Sequence, residues 1–268
     1  CEIWKVEYSE IDREFVQSSL TDNVIGQKII YYDTLNSTMD EAIKQAQNGE
    51  SEGVVVIADK QTKGRGRYNR RWSSLPGEDL LFSIVLRPTV TELPYINMAA
   101  TMSVAKSIAK ITSLNPVVKW PNDLQINGRK ISGILIETEI GLSEISKVVY
   151  SIVGIGVNVN SDLSQISDIK YRATSIYKEI DQKIERTDMF KCILEFFDEF
   201  YWQIKSGKSL TKDWVSWLDT LGQNVRLKYL DQVISGRAES VDEQGNLIVV
   251  RPDSSIFRAV AGEVTLQM

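Results

Sequence analysis

VVKWPNDLQINGRKISGILIE, residues 117–137, is the stretch on which the fold turns. Two short β-like flanks meet at Asn127-Gly128, a dipeptide suited to the left-handed corners of a type I′ turn, so the chain here predicts an antiparallel hairpin. Just upstream, VVKW reads as a strand that ends where Pro121 cannot donate to a ladder and Asn122 and Asp123 favour a turn. Lys119 lies in that otherwise apolar strand, where burying an unpaired charge costs on the order of several kcal/mol. Lys130 follows one hairpin later, so two lysines and an Asn-Asp pair can converge at one end of a sheet. Gly133, just beyond, is a strand position without a side chain, which suits a bulge, tight packing or a ligand that comes close.

Working outward, KIIYYD (28–33), GVVVIADK (53–60), LLFSIVLR (80–87) and VVYSIVGIGVNVN (148–160) are β-branched, apolar runs of strand length. Between the first two, Ser37/Thr38 open a helix, with Thr38 and Glu41 spaced as a capping box. Met39, Ala42, Ile43 and Ala46 form its apolar stripe, and Gly49 supplies a stop. Pro94 begins a helix that runs to about residue 112, and helical patterns cover 186–205 and 209–220, the second carrying Trp214 and Trp217. From Asn224 the character changes to short strands separated by turns such as Gln244-Gly245-Asn246. The pattern predicts an α+β protein: a mixed β-sheet domain with flanking helices over residues 1–221, then a small β-barrel over 222–268. There is no internal repeat and no low-complexity tract.

The totals exclude several classes. At 268 residues, 43% hydrophobic and 25% charged, the composition is that of an ordinary globular chain long enough to bury a full core. No apolar run approaches the roughly 20 residues of a membrane span. The N-terminal CEIWKVEYSE lacks the basic start and apolar centre of a secretory signal, so a cytoplasmic location is expected. Cys1 and Cys192 are too few for a disulfide framework or a thiolate metal site. Histidine is absent, which removes the commonest general base and the Ser-His-Asp triad. A net charge of −5, from 31 basic and 36 acidic residues, argues against a globally basic nucleic-acid binder.

Against that balance QTKGRGRYNRRWSS (61–74) stands out, with Lys63, Arg65, Arg67, Arg70 and Arg71 in a long polar loop between two strands. Loops of this length in compact domains are usually functional or disordered. Three readings are open: a solvated charge run, an arginine-rich nucleic-acid segment stacking bases on Tyr68 and Trp72, or a phosphate loop. In the third, Gly64 and Gly66 let backbone N–H groups approach an anion, while Arg65 and Arg67 supply forked positive charge. Gly154 and Gly156 add two further gaps in a strand pattern. Cations on a loop and at sheet ends, glycine gaps and no histidine suit nucleotidyl transfer to a carboxylate, because charge builds on phosphate and a carboxylate nucleophile needs no base.

The sequence resembles biotin–protein ligases at Ser37-Thr38, at Gln61 leading into GRGR (64–67) and closing on Trp72, at KWPND (119–123), GRKISGILIE (128–137), GIGVNVN (154–160) and WVSWLDTLGQNVRL ahead of the small barrel. The resemblance covers about residues 25–265. It implies the biotin/lipoate ligase type of catalytic sheet followed by an SH3-like barrel, and a two-step activity. Biotin and ATP, with Mg²⁺, give biotinyl-5′-adenylate, from which biotin passes to a lysine of the biotin carboxyl carrier domain of a biotin-dependent carboxylase. By the same resemblance Ser37, Thr38 and Gln61 meet biotin's ureido ring, and Gly64, Arg65, Gly66 and Arg67 form the loop that folds over biotin and the adenylate. Lys130 lies near the carboxylate and α-phosphate, and Trp72 orders the loop or walls the nucleotide site. Asn122 and Asp123 position ATP, Gly133, Gly154, Gly156 and Asn158 line the walls, and Arg65, Lys119, Asp123 and Lys130 carry the chemistry. Met39 stands where the family commonly has Asn, and Tyr68-Asn69 where the loop usually continues with arginine and glycine. Only about 27 residues precede the first strand, so a monofunctional ligase is expected, without a DNA-binding domain, binding neither nucleic acid nor membrane and able to dimerise through a sheet edge. Lipoate–protein ligases and octanoyltransferases carry a His-Asp motif that a chain without histidine cannot have.

Overall fold

The apolar run in GVVVIADK is continuous because both faces of that strand are covered: Val55 and Ile57 join one core, Val54 and Val56 the other. The computed structural model describes residues 10–141, 147–165 and 172–266, so Cys1 lies outside the described residues. Its main sheet has seven strands, β1 (Ile29–Leu35), β2 (Val55–Gln61), β3 (Leu80–Leu86), β4 (Val117–Lys119), β5 (Asp123–Ile126), β6 (Arg129–Ile140) and β7 (Val148–Val157), in the order β1-β2-β3-β7-β6-β5-β4. Among the strand pairings of the described residues in this sheet, β1/β2 is parallel and the others are antiparallel. Helix α1 (Arg13–Ser19) precedes the sheet, α2 (Thr38–Gln47) links β1 to β2, and α3 (Leu93–Thr112) links β3 to β4. After β7 come α4 (Ile176–Ile180), α5 (Arg186–Lys205) and α6 (Thr211–Val215).

The two cores set the layers. Ile57, Phe82, Ile84, Val153 and Ile155 pack with α3 and α5 on one face, while Met39, Ala42 and Ala46 of α2 pack on Val56, Val85 and Ile152 on the other. Asn127 and Gly128 take left-handed angles, φ 52° and 70°, as a type I′ corner requires, and β5 and β6 form the predicted hairpin. The peptide before Pro121 is cis.

Two local readings are corrected. The capping box does not form: Ser37, not Thr38, is the N-cap of α2, neither side chain caps the helix, and the Glu41 carboxylate accepts from the Tyr32 hydroxyl and Gln45. The helix expected over 209–220 is confined to Thr211–Val215, because Trp217 and Asp219 hydrogen-bond Val118 of β4 instead of continuing the turn.

The C-terminal part is a five-stranded antiparallel sheet of β8 (Asn224–Tyr229), β9 (Gln232–Val241), β10 (Leu247–Val250), β11 (Ile256–Ala259) and β12 (Glu263–Leu266), in the order β11-β10-β9-β8-β12. Among the described residues no ladder joins β11 to β12, so the expected barrel is open at that seam. Its apolar face, with Val225, Leu227 and Val249, is continuous with the main core. The Trp120 indole donates to the Gly245 carbonyl at 2.9 Å across the junction.

Candidate functional site

Helix α2 packs on β2, β3 and β7 on its face of the sheet, and beside it residues 65–73 of the loop between β2 and β3 form a roof. Beneath that roof is a cavity of about 690 Å³. Its floor exists because three strand positions lack side chains. Gly133 and Gly156 face each other across β6 and β7, and a Cβ on Gly156 would stand 2.6 Å from the Trp72 indole. Gly154 is covered by Met39, whose sulfur lies 2.5 Å from where a Cβ would be. These glycines are therefore packing gaps that admit an indole and a thioether to the sheet surface, and all three line the cavity.

One end of the cavity is neutral and polar. Gln61 accepts from the Thr38 backbone N–H at 2.7 Å and from its hydroxyl at 3.1 Å, while the Ser83 hydroxyl donates to Thr38 at 2.8 Å. Ser37 is 2% exposed and its hydroxyl has no partner, the costly state for a buried polar group unless a ligand supplies the missing bond. The start of α2 thus presents its hydroxyls to the cavity rather than to the helix.

The other end is cationic. Lys130 Nζ sits 2.7 Å from Asp123 Oδ1 and 5.4 Å from the Trp72 ring centroid. Lys119 faces the same space from β4, so the two lysines do converge. Arg67 donates to Asn122 Oδ1 at 2.7 Å, and Asn122 in turn donates to the Ile134 carbonyl at 2.6 Å. Arg65 is held by Asp40 at 2.9 Å and Glu137 at 3.1 Å, which pins the start of the loop to α2 and β6. Asn158 lines the wall while its amide donates to the Thr174 carbonyl at 2.9 Å.

The loop is a small hairpin rather than a cradle of backbone donors. Arg65 bridges Arg71, the Gly66 N–H donates to the Arg70 carbonyl at 2.7 Å, and Trp72 N–H donates to the Gly64 carbonyl at 2.9 Å. The expectation that glycine N–H groups face an anion is therefore corrected for Gly66, because the hairpin uses that donor. Gly64 does not line the cavity, but a Cβ there would meet the Trp72 carbonyl at 2.6 Å. At the tip Tyr68 and Asn69 both take left-handed angles. Trp72 turns inward with its indole N–H buried and unpartnered, so it is not the outward stacking platform that the nucleic-acid reading needs.

Both ends of the loop are anchored. At its C-terminal foot the buried Asp79 carboxylate accepts from Ser161 Oγ at 2.6 Å and Val159 N–H at 2.9 Å, and burial pushes its pKa up to about 6 despite those bonds. At the mouth, residues invisible to the motif reading appear. Gly262, Glu263 and Val264 of the C-terminal sheet line the cavity with Arg70, Arg71, Gln125 and Arg172. Glu263 sits in an unremarkable strand pattern far from the motifs, and only Arg70 and Arg71 carried a signal, as members of the basic cluster. Asp219 lies near Lys119 with one buried oxygen unpartnered, and its pKa is raised by burial, partly offset by that lysine.

A polar pocket without charge at one end and the cations Arg67, Lys119 and Lys130 at the other suits a ligand with a neutral polar head and an anionic tail. Comparison with known proteins agrees. Residues 31–158 match the Biotin/lipoate A/B protein ligase family and residues 220–266 the Biotin protein ligase C terminal domain. The bifunctional ligase/repressor BirA of Bacillus subtilis is 34% identical over 239 residues, covering 87% of this chain and 73% of that protein. The biotin–[acetyl-CoA-carboxylase] ligase of Mycobacterium tuberculosis is 27% identical over 250 residues, covering 86% and 88%. Among solved structures, the biotin protein ligase of Aquifex aeolicus in complex with biotin and ATP superposes with a TM-score of 0.75 at 28% identity, covering 90% of this chain and 99% of that one.

Proposed function

The chain belongs to the biotin/lipoate A/B protein ligase family, and from that membership and the cleft we propose that it is a biotin–protein ligase. A biotin carboxylate oxygen attacks the α-phosphorus of ATP, the bond to pyrophosphate breaks, and biotinyl-5′-adenylate forms. The amine of an acceptor lysine then attacks the acyl carbon, AMP leaves, and an amide results. The observation that carries this reading is the joining, in one cavity, of the unpartnered Ser37 hydroxyl and the Gln61 amide at one end with Arg67, Lys119 and Lys130 at the other.

The roles follow from position. Ser37, Thr38 and Gln61 hold the ureido head, and the Gly133, Gly154 and Gly156 gaps with Asn158 shape the walls. Lys130, oriented by Asp123, stabilises charge on the carboxylate and α-phosphate, and Lys119 and Arg67 meet the phosphates. Arg65, with Gly64 and Gly66, fixes the loop through Asp40 and Glu137, and Trp72 walls the nucleotide side.

Among the described residues no cluster of three or more acidic, cysteine or histidine side chains could hold a metal alone. Asp123 brings a carboxylate to the cavity wall, which suits Mg²⁺, an ion that keeps most of its waters and binds through one or two carboxylates plus phosphates. Asp123 would hold it with Asn122 beside it, and it would offset charge on the phosphate oxygens.

Residues 1–221 carry the cleft and residues 222–268 one side of its mouth. No helix among the described residues is long and apolar enough to cross a membrane, and dependence on ATP suits the cytoplasm. The acceptor is the biotin carboxyl carrier domain of a carboxylase.

The test is biotin-dependent exchange of labelled pyrophosphate into ATP by the purified chain with Mg²⁺, with lipoate and octanoate in parallel. Exchange with biotin alone is expected. Folded protein that exchanges with none of the three acids would overturn the assignment.

A further inference from the structure

Arg70, in the turn of the loop, and Glu263, at the start of β12, are 193 positions apart in sequence and meet fork to fork, Nη1 to Oε1 at 2.7 Å and Nη2 to Oε2 at 2.5 Å. Two parallel charge-assisted bonds fix orientation as well as distance, which a single contact does not. The rest of the hairpin tip is held from the floor of the cleft: Arg67 reaches Asn122, and its other nitrogen donates to the Tyr68 hydroxyl at 3.2 Å. The Tyr68 ring has Arg67 at 5.1 Å and Arg70 at 5.9 Å, so one ring contacts both guanidiniums at the tip. Glu263 itself is surrounded by cations. The Arg70 hydrogen bond, then the charges of Arg70, Lys119 and Lys228, hold its carboxyl below the usual glutamate range.

We propose that Glu263 is a positioning residue which, by gripping Arg70, fastens the loop across the mouth of the cleft and makes the C-terminal sheet part of the closure that retains the activated intermediate. For the identity of that intermediate the inference rests on the ligase reading above. Glu263 need not touch the reacting atoms. It sets how often the loop opens, and hence how fast a mixed anhydride meets water before an acceptor lysine arrives.

The experiment compares the full chain with Glu263→Gln and with the charge swap R70E/E263R. Hydrogen exchange of residues 62–79 is followed in each, together with AMP formation from biotin, ATP and Mg²⁺ without acceptor. In Glu263→Gln the loop should exchange about fivefold faster, the size expected for losing one partly exposed ion pair. Acceptor-free AMP formation should rise by a similar factor, while the maximal rate of pyrophosphate exchange stays within about twofold. The swap should restore loop protection. Unchanged loop exchange, failure of the swap to restore it, or AMP formation that does not follow the loosened loop would each overturn the proposal. So would faster exchange spread through β8–β12, which would give Glu263 a purely structural role. If the unaltered chain shows no biotin-dependent exchange of pyrophosphate, the ligase reading fails while the hydrogen-exchange arm still decides the latch.

Discussion

At Gly156 a single hydrogen separates an open floor from a blocked one. A Cβ there would lie 2.6–2.7 Å from two carbons of the Trp72 indole, closer than side chains approach in real proteins, so something must shift. Gly156 is held between Leu81 and Gly133 in the middle of the sheet, whereas Trp72 stands on a loop, so the indole gives way. Gly156→Ala should therefore raise the KM for ATP in pyrophosphate exchange about tenfold while lowering the melting midpoint by about 3 °C or less, roughly 1 kcal/mol for a chain of this size. A large loss of stability at unchanged KM would place the strain in the sheet instead. Asp79 invites a different test. Its folded pKa, about 6, lies above the ordinary 3.8, so between those values the folded chain keeps a proton that the unfolded chain has released. Stability thus falls as pH rises through the window, and the full cost of ionising the buried carboxylate, about 3 kcal/mol, is present at pH 7 and absent below pH 4. Asp79→Asn cannot ionise. Urea denaturation should show the stability of the variant relative to the parent increasing by up to about 3 kcal/mol from pH 4 to pH 7. A difference that does not vary with pH would contradict it.

At the scale of elements, Arg186 ties three of them together. It begins α5 at 2% exposure, donating from Nη1 to Asp59 Oδ1 at 2.8 Å on β2 and to the Asp79 carbonyl at 3.1 Å at the loop's foot. Asp59 also accepts from the Tyr31 hydroxyl of β1 at 2.6 Å. Arg186→Met should cost about 3–5 kcal/mol in denaturant titration, because a buried ion pair loses one partner. A cost below about 1 kcal/mol would mean that water replaces the guanidinium. Elements that sequence pattern found and those it missed divide by what stabilises them. The strands other than β12, the 127–128 turn, α2, α3 and α5 were legible because an apolar stripe or a special corner is written in consecutive residues. Helices α1 and α4 went unread although Asp12 and Ser175 cap them, because five to seven residues are too short to show a period. The second helix was overrun because the partner of residues 217–219 is β4, about 100 positions earlier, and local periodicity carries no record of such a bond.

For the whole molecule the same distinction governs the site. Its glycines, lysines and loop arginines announce themselves in short motifs, and all but Gly64 of the residues expected there line one cavity. The contribution of β12 is silent in sequence, because Glu263 gains meaning only where the C-terminal sheet folds back against the loop. That return is held by more than one ion pair. Trp214, 1% exposed, donates from its indole to Thr101 Oγ1 at 3.0 Å in α3 and packs beside Gly245, and the Thr211 hydroxyl donates to the Glu243 carbonyl at 2.6 Å. The apolar core runs from α3 and α5 into β8, β9 and β10, and the buried Thr220 accepts from the Trp120 N–H at 2.9 Å where the chain changes character near residue 222. A surface of that kind cannot part from its neighbour without exposing Trp120, Trp214 and Met98 together, so neither part should unfold ahead of the other. Scanning calorimetry is therefore expected to give one transition whose calorimetric and van't Hoff enthalpies agree, with near- and far-ultraviolet dichroism melting together. Trp214→Ala, removing a fully buried ring, should lower that single midpoint by about 10 °C, the equivalent of roughly 3–5 kcal/mol, and leave it single. Two separated transitions in the parent chain would show that the C-terminal sheet folds independently, and the mouth of the cleft would then be a joint between two bodies rather than an edge of one.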